Sequence, residues 1–454
     1  MVIAVIAIFV IGYLAIVFEH PLKLDKTVPA LIMGALAWAA ISLGHLEVVG
    51  HDHHLGELEG VLLHHLGKIA EILFFLIGAM TIVELVGLHK GFSIITNKID
   101  TTSKKKMLLL ICILAFFLSA TLDNLASTIV LVALLRKLVP QREERLWFVS
   151  MAVIAANAGG AWSPIGDVTT TMLWIGEKVS TGGLITHLVL PSIVCIAVPG
   201  VIASFMKPFQ GNITRGNVEL DDVSEKELKR LSSKTMLVVG VGALVSVPIF
   251  KTLTHLPPYM GMMLALGVVW LVSELIHPEE DFEEEEHQDA HSEGGHVKTN
   301  AHEALSRIEM SSILFFLGIL VSVAALESVA VMGAGGHMVG LLKSAAEWLQ
   351  HTLPNQDIVI MVLGFLSALI DNVPLVAATM GMYTAPTDAS LWHFIAFSAG
   401  TGGSMLIIGS AAGVAAMGME RIDFIWYLKN VGWLAFLGFA AGCAVFIAMK
   451  YLVF

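Results

Sequence analysis

Long apolar runs alternate with short polar segments, and they fall in an order that occurs twice. Runs near 1–18, 27–43, 68–88, 184–206, 235–254, 259–276, 307–329 and 430–453 approach or exceed the roughly 18–20 residues that a membrane-spanning helix needs. Two further regions of each half depart from the plain apolar pattern. Residues 107–138 and 357–383 are apolar but carry an Asp-Asn pair, and 147–176 and 391–418 are apolar but interrupted by glycines. A polar linker of mixed charge, 207–234, separates an N-terminal repeat (1–206) from a C-terminal one (235–454). An amphipathic surface helix near 337–350 has no counterpart in the first half. The pattern predicts an all-α polytopic membrane protein whose partner is the lipid bilayer.

The repeat shows in residues as well as in order. Ile72-Leu-Phe-Phe-Leu76 matches Ile313-Leu-Phe-Phe-Leu317 at an offset of 241. Asp123-Asn124 matches Asp371-Asn372 at 248, and Gly159-Gly160 with Gly166 matches Gly402-Gly403 with Gly409 at 243. Each half makes five crossings if its Asp-Asn segment enters and leaves by one face. An odd number inverts the second half, which is the inverted-topology plan of secondary transporters. With both termini outside, 21 of the 26 Lys and Arg residues fall on the cytoplasmic side, as the positive-inside rule requires.

A single helix over 107–138 would run 32 residues, or about 48 Å, too long for a hydrocarbon core of about 30 Å. Re-entrant helical hairpins are therefore expected at 107–138, dipping from the cytoplasm, and at 357–383, dipping from outside. Asp123 and Asp371 would lie at their tips. A carboxylate at membrane depth costs roughly 2.5–3.5 kcal/mol on insertion scales, so both are candidate functional groups. Asn124 and Asn372 follow them, and Ser119 and Ser367 precede each aspartate by four residues.

The interrupted spans are expected to be broken helices. Ala155-Ala-Asn-Ala-Gly-Gly-Ala-Trp-Ser-Pro-Ile-Gly-Asp167 cannot continue a helix cheaply. Irregular backbone at membrane depth lines a cavity or is buried in protein, where freed carbonyls can serve a cation. Asn157, Ser163, Asp167, Thr169 and Thr170 are the polar groups on offer there. Ser398, Thr401, Ser404 and Ser410 take those places in the second half, with Ser410 standing where the first half has Asp167.

Composition agrees: 56% of the 454 residues are apolar and 14% charged, which excludes an ordinary soluble domain. Three widely spaced cysteines form neither a disulfide framework nor a zinc motif. No nucleophile-and-base set or H-E-x-x-H motif points to an enzyme, and nothing points to nucleic acid or a bound cofactor. The His- and acid-rich segments 44–67 and 277–304 are expected to be solvated loops. Glu84 and Glu327 end the third span of each half as interface carboxylates. His20, His89 and His393 are placed at span ends, in the interface.

The Asp-Asn hairpins together with Gly-Gly-Ala-Trp-Ser-Pro-Ile-Gly-Asp resemble the NhaD-type sodium/proton antiporters. That family belongs to a larger ion-transporter superfamily with citrate, dicarboxylate and arsenite carriers. The resemblance runs nearly full length, omitting the His-rich loops; the acidic insert 279–303 is the part least expected of the family. It implies a homodimer in a bacterial inner membrane, with a transport domain moving against a scaffold. It also implies that hairpin tips and broken helices meet at the substrate. Carried onto this chain, its important positions are Ser119, Asp123, Asn124, Asn157, Asp167, Thr169, Thr170, Ser367, Asp371, Asn372, Ser398 and Thr401. Exchange of Na⁺ or Li⁺ for H⁺, stronger at alkaline pH, is then expected, with the cation at Asp123, Asp371 and Asp167. The alternative is a Na⁺-coupled carrier of a di- or tricarboxylate or an inorganic anion. It would want basic groups at the site, and none lies in either polar cluster.

Overall fold

The computed structural model describes residues 1–18, 22–50, 55–92, 94, 99, 101–213, 231–276, 301–333, 337–352, 355–368 and 372–452. Asp371, His20, His51, His53, His54 and most of the segments 207–234 and 277–304 lie outside the described residues.

The first half opens with α1 (Val2–Val17) and α2 (Thr27–Leu43). A two-stranded ribbon follows, β1 (Val48–Val49) and β2 (Leu55–Gly56). Then come α3 (Leu58–Leu88), α4 (Lys104–Leu122) and α5 (Asn124–Leu138). Next are α6 (Arg142–Gly160), α7 (Val168–Ile175) and α8 (Thr181–Phe205). The second half contains α9 (Leu231–Thr254), α10 (Pro258–Ile276), α11 (Ala301–Arg307) and α12 (Met310–Ser328). A second ribbon, β3 (Ala330–Met332) with β4 (Met338–Gly340), leads into α13 (Leu341–Thr352). The chain continues through α14 (Gln356–Leu366), α15 (Asn372–Met382), α16 (Ser390–Gly402), α17 (Ala411–Glu420) and α18 (Phe424–Tyr427). It ends with α19 (Trp433–Leu452). Among the described residues seven helical segments are long and apolar enough to cross a bilayer, so the chain is a polytopic, mainly helical membrane protein.

Each break has a local cause. Asp123 separates α4 from α5 with a backbone φ of 101°, which L-residues rarely adopt, and its carboxylate caps α5 by accepting the Ala126 N–H at 2.7 Å. Asp167 caps α7 in the same way through the Thr169 N–H. The helix does not cross Gly160–Asp167, where Pro164 has no N–H to donate and Gly160 packs directly against the Gly166 carbonyl.

Both ends of the α4–α5 pair meet the first turn of α6. The Lys104 ammonium lies 2.6 Å from Glu144, and Arg136 shares the Glu420 carboxylate with Arg145 at 2.7 and 2.9 Å. Arg142 adds hydrogen bonds to the Glu420 and Arg421 carbonyls at the end of α17. Positive side chains at a helix C-terminus satisfy its orphan carbonyls and oppose its dipole.

By packing, the helices fall into two groups. In one, α2 lies on α1 and α12, and α10 lies on α3 and α9. The Thr27 hydroxyl and Trp38 indole of α2 donate to carbonyls of α12, and Gly34 and Gly318 let these two backbones approach. In the other group, α6 packs on α4, α5, α16 and α17, while α16 packs on α14, α15 and α19.

Several details differ from expectation. The third span starts at Leu58, not 68, so His64 and His65 are helical; His65 is held by a 3.0 Å hydrogen bond to the Ser328 hydroxyl, and Val61 is buried. The segment 44–67 is thus only partly loop. The amphipathic helix begins after a strand at Leu341, because 338–340 pairs with 330–332. The last span starts with α18 and a π-turn at Leu428–Gly432, earlier than residue 430. His89 and His393 are covered by protein: His89 Nε2 pairs with the Ser273 hydroxyl at 2.8 Å, and His393 stacks on His187.

Candidate functional site

Two breaks and two helix starts converge on one buried carboxylate. Asp167, 1% exposed, has extended backbone (φ −152°, ψ 145°) that turns its side chain into the start of α7. Its Oδ1 accepts the Thr169 N–H and the Thr169 hydroxyl, both at 2.8 Å. Asn124, at the start of α5, donates to Oδ2 at 2.6 Å, and Asn372, at the start of α15, reaches both oxygens at 3.4 Å. An amide from each half therefore meets the same carboxylate.

Asn157 extends the network into the second break. Its Oδ1 accepts the other Asn124 N–H at 3.0 Å, and its own amide donates to Ser404 at 2.9 Å and Ser410 at 2.8 Å. Both N–H groups of Asn124 and both of Asn157 are thereby used, so a single amide orientation satisfies the chain. Ser410 has nearly the backbone of Asp167 (φ −147°, ψ 152°) and caps α17 through the Gly413 N–H at 3.1 Å.

The remaining expected positions serve the frame. The Ser119 hydroxyl donates to the Ala156 carbonyl at 2.6 Å, and the Ser367 hydroxyl to the Ala399 carbonyl at 2.7 Å. Each ties an arm to the neighbouring broken helix. Thr170 donates to the Asp167 carbonyl, and Thr401 to the Phe397 carbonyl one turn back. Ser398 is buried against Gly364. Ser163 stays in the first break, with its oxygen 3.4 Å from the Ile165 N–H. Asp123 is half-buried and caps its own helix; the charge acting on it is that of Asp167. Asp371 lies outside the described residues.

Three residues have a larger place than their sequence signal suggested. Ser404 and Ser410 bind Asn157, although they stood only as replacements in the second break. Ser410 sits 243 residues after Asp167, and that offset alone marks it. Tyr427, whose hydroxyl holds the Ser404 carbonyl at 2.8 Å, has no such signal.

The donors on Asp167 named here are neutral: two amides, a hydroxyl and a backbone N–H. No Lys or Arg occurs anywhere in 107–135, 146–177 or 355–420. A buried carboxylate wrapped in neutral groups holds a negative charge that a proton or a small hard cation can neutralise.

The profile described as "Citrate transporter" matches residues 13–393. "Sodium/proton antiporter 1" of Arabidopsis thaliana is 46% identical over 455 residues, covering 100% of this chain and 73% of the relative. "Sodium/proton antiporter 2" of the same plant is 43% identical over 446 residues, covering 97% and 98%. "Na(+)/H(+) antiporter NhaD" of Alkalimonas amylolytica is 31% identical over 459 residues, covering 97% and 89%. A family of transporters, not of enzymes, accounts for the whole chain. It belongs to the citrate-transporter family and, within it, to the NhaD-type sodium/proton antiporters.

Proposed function

We propose that this protein exchanges Na⁺ for H⁺ across a membrane, with Li⁺ as a second substrate, by competition of cation and proton for Asp167 and the hairpin aspartates Asp123 and Asp371. The observation that carries this reading is the meeting of Asn124 and Asn372, one from each half, on the Asp167 carboxylate. Burial favours the neutral form of a carboxyl group, and a neighbouring cation favours the ionised form. One site can therefore hold a proton or a sodium ion, and filling it with one expels the other. An amide that now offers N–H to the carboxylate can rotate to offer its oxygen to a cation, so Asn124, Asn157 and Asn372 suit both states. Exchange should strengthen as pH rises, because protons then compete less well.

The architecture proposed with it is two inverted repeats, 1–206 and 235–454, each with a re-entrant hairpin and a broken helix. Both ends of α4–α5 lie at the first turn of α6, as a hairpin requires. Support for the repeat comes from paired contacts: Ser119 to Ala156 and Ser367 to Ala399, Gly159 against Phe116 and Gly402 against Gly364, Gly160 against Gly166 and Gly403 against Gly409. Every position in these pairs recurs at an offset of 243 or 248, as found in the sequence. The orientation proposed puts both termini outside and the Arg136, Arg142, Arg145 and Glu420 cluster in the cytoplasm. A homodimer in a bacterial plasma membrane completes the proposal.

Purified protein in proteoliposomes carrying an internal pH-sensitive dye provides the test. NaCl, LiCl, KCl and sodium citrate are added in turn at several pH values. A proton flux driven by Na⁺ or Li⁺ chloride, growing towards alkaline pH, is the expected result. A flux that needs citrate or another anion would move the assignment to a sodium-coupled anion carrier. That outcome would make the helix N-termini the residues to alter.

A further inference from the structure

A second cluster of titratable groups lies at the outer ends of α8 and α16, away from Asp167. His187 and His393 stack face to face, with ring centroids 4.3 Å apart and planes 6° from parallel. His393 is fully buried, and neither of its ring nitrogens makes a hydrogen bond of good geometry. Its Nε2 faces Asp388 Oδ1 at 3.3 Å. The same oxygen accepts the Ser180 N–H at 2.7 Å, and the Asp388 N–H donates to the Lys178 carbonyl at 2.9 Å. Asp388 is held at φ 61°, a conformation that costs a non-glycine residue free energy unless its surroundings enforce it. His187 Nδ1 lies 2.8 Å from the Gly183 carbonyl, which can only accept, so Nδ1 carries a hydrogen and Nε2 carries the lone pair of the neutral ring.

We propose that His187, His393 and Asp388 form a one-proton switch that sets the acid limit of exchange. Two imidazolium charges 4.3 Å apart, one fully buried and the other part-buried, repel too strongly to coexist, so the pair takes up one proton as a unit. Once charged, the pair draws the Asp388 carboxylate towards α16. That pull acts through the Asp388 N–H on Lys178, three residues beyond the end of α7. α7 starts at Asp167, so the switch braces the far end of the helix that the ion-binding carboxylate caps. The protonated pair holds α7 and slows exchange, and deprotonation releases it.

The other elements packed on α8 and α16 bring few competing charges. α7 and α15 have no titratable residue, and α8 adds only Cys195. α4 adds Cys112, and its charges, like those of α6, lie in the first turns at the other end of the group, where Lys104 pairs with Glu144 and Arg145 with Glu420. α19 and α14 contribute Cys443 and a closed set in which Lys450 and Tyr451 bond Asp357 at 2.6 and 3.1 Å. Lys178 lies over the Trp392 ring at 5.0 Å. The groups that act on His393 are His187 and Asp388.

The inference rests on the antiport reading, and two measurements separate its failure from that of the reading itself. The double variant His187→Phe/His393→Phe keeps two rings in the stack and leaves no imidazole to take up the proton. In proteoliposomes its pH of half-maximal Na⁺-driven proton flux should fall by at least half a unit, with the alkaline maximum within twofold of the parent. A profile superimposable on the parent within 0.2 unit would overturn the switch. Hydrogen–deuterium exchange of the unaltered protein needs no transport and no mutant. After correction for intrinsic rates, peptides covering 176–183 should be more protected at pH 5.5 than at pH 8.5, and equal protection would count equally against the proposal. An unaltered protein that moves no protons on addition of sodium at any pH would sink the antiport reading alone.

Discussion

Asp167→Asn is the sharpest test of the site. The substitution keeps size and one carbonyl oxygen but removes the charge. In the native site Oδ1 accepts two donors from Thr169, and Oδ2 accepts Asn124 at 2.6 Å. An asparagine must turn its NH₂ towards either Asn124 or the Thr169 N–H, so one donor faces another donor. That loses at least one hydrogen bond to a charged group, worth about 1.5–3 kcal/mol, while relieving the burial of an anion. The fold should therefore survive. Cation binding should not. A unit charge about 4 Å from a cation at an effective dielectric near 20 contributes about 4 kcal/mol. At 1.4 kcal/mol per decade that is nearly a thousandfold in affinity. Sodium titrations of proton flux in proteoliposomes should show half-saturation beyond reach or no flux at all. Thermal unfolding gives a second readout: sodium at a hundred times its Kd should stabilise the parent by about 2.7 kcal/mol and leave the variant unmoved. A variant whose half-saturating sodium concentration stays within tenfold of the parent, at undiminished rate, would refute the role given to this carboxylate.

Other expectations follow from particular contacts. Asp123→Asn and Asp371→Asn should each abolish exchange at every pH while the protein still reaches the membrane; for Asp123 the cap on α5 survives, since asparagine caps as well as aspartate and tolerates positive φ, and the check is flux per amount of inserted protein. Gly402→Ala would drive a Cβ into the Gly364 carbonyl oxygen, so the variant should fail to accumulate, whereas Gly418→Ala, with open space around it, should accumulate normally on an immunoblot of membranes. Glu420→Gln leaves Arg136 and Arg145 without their shared carboxylate. Breaking a buried ion pair costs about 3–5 kcal/mol, and the half-exposed Arg136 puts this case near the lower end, visible as a lower midpoint of thermal unfolding in detergent.

Much of the arrangement could be read from the sequence because membrane depth makes each polar residue conspicuous. Asn124, Asn157, Asp167 and Asn372 stand in apolar surroundings that would not tolerate them unpaired, and the structure brings them together. The helix breaks were legible for a similar reason: paired glycines with Ser-Pro leave the backbone no way to continue. The partners of these groups were not legible. Nothing in the spacing says that Asn157 binds Ser404 and Ser410, because that contact joins positions 247 and 253 residues apart. Short ribbons and the early start of α3 escaped because their residues carry no strong periodicity, and tertiary contacts such as His65 to Ser328 decide them. The burial of His393 was not legible, because position at a span end says nothing about which neighbouring helix covers it.

The unequal chemistry of the two breaks limits how many charges the site can hold. Asp167 and Ser410 share backbone conformation within about ten degrees and the same capping job, one accepting from Thr169 and the other from Gly413. Capping alone would accept either residue at either place. Asn157 discriminates between them: it passes its two N–H groups to the hydroxyls of Ser404 and Ser410, and its oxygen takes a hydrogen from Asn124, which in turn holds Asp167. An aspartate at 410 would place a second buried anion on the same amide relay as Asp167. Two carboxylates sharing one site cannot both stay ionised, and one would retain its proton. The hydroxyl at 410 avoids that and keeps the first-half carboxylate as the group whose charge the relay serves. On the proposed antiport reading a single cation replaces a proton at Asp167, and any further proton in the cycle is carried by Asp123 or Asp371. Because either aspartate variant should abolish exchange, the coupling ratio is read from the unaltered protein, by the voltage at which Na⁺-driven proton flux reverses.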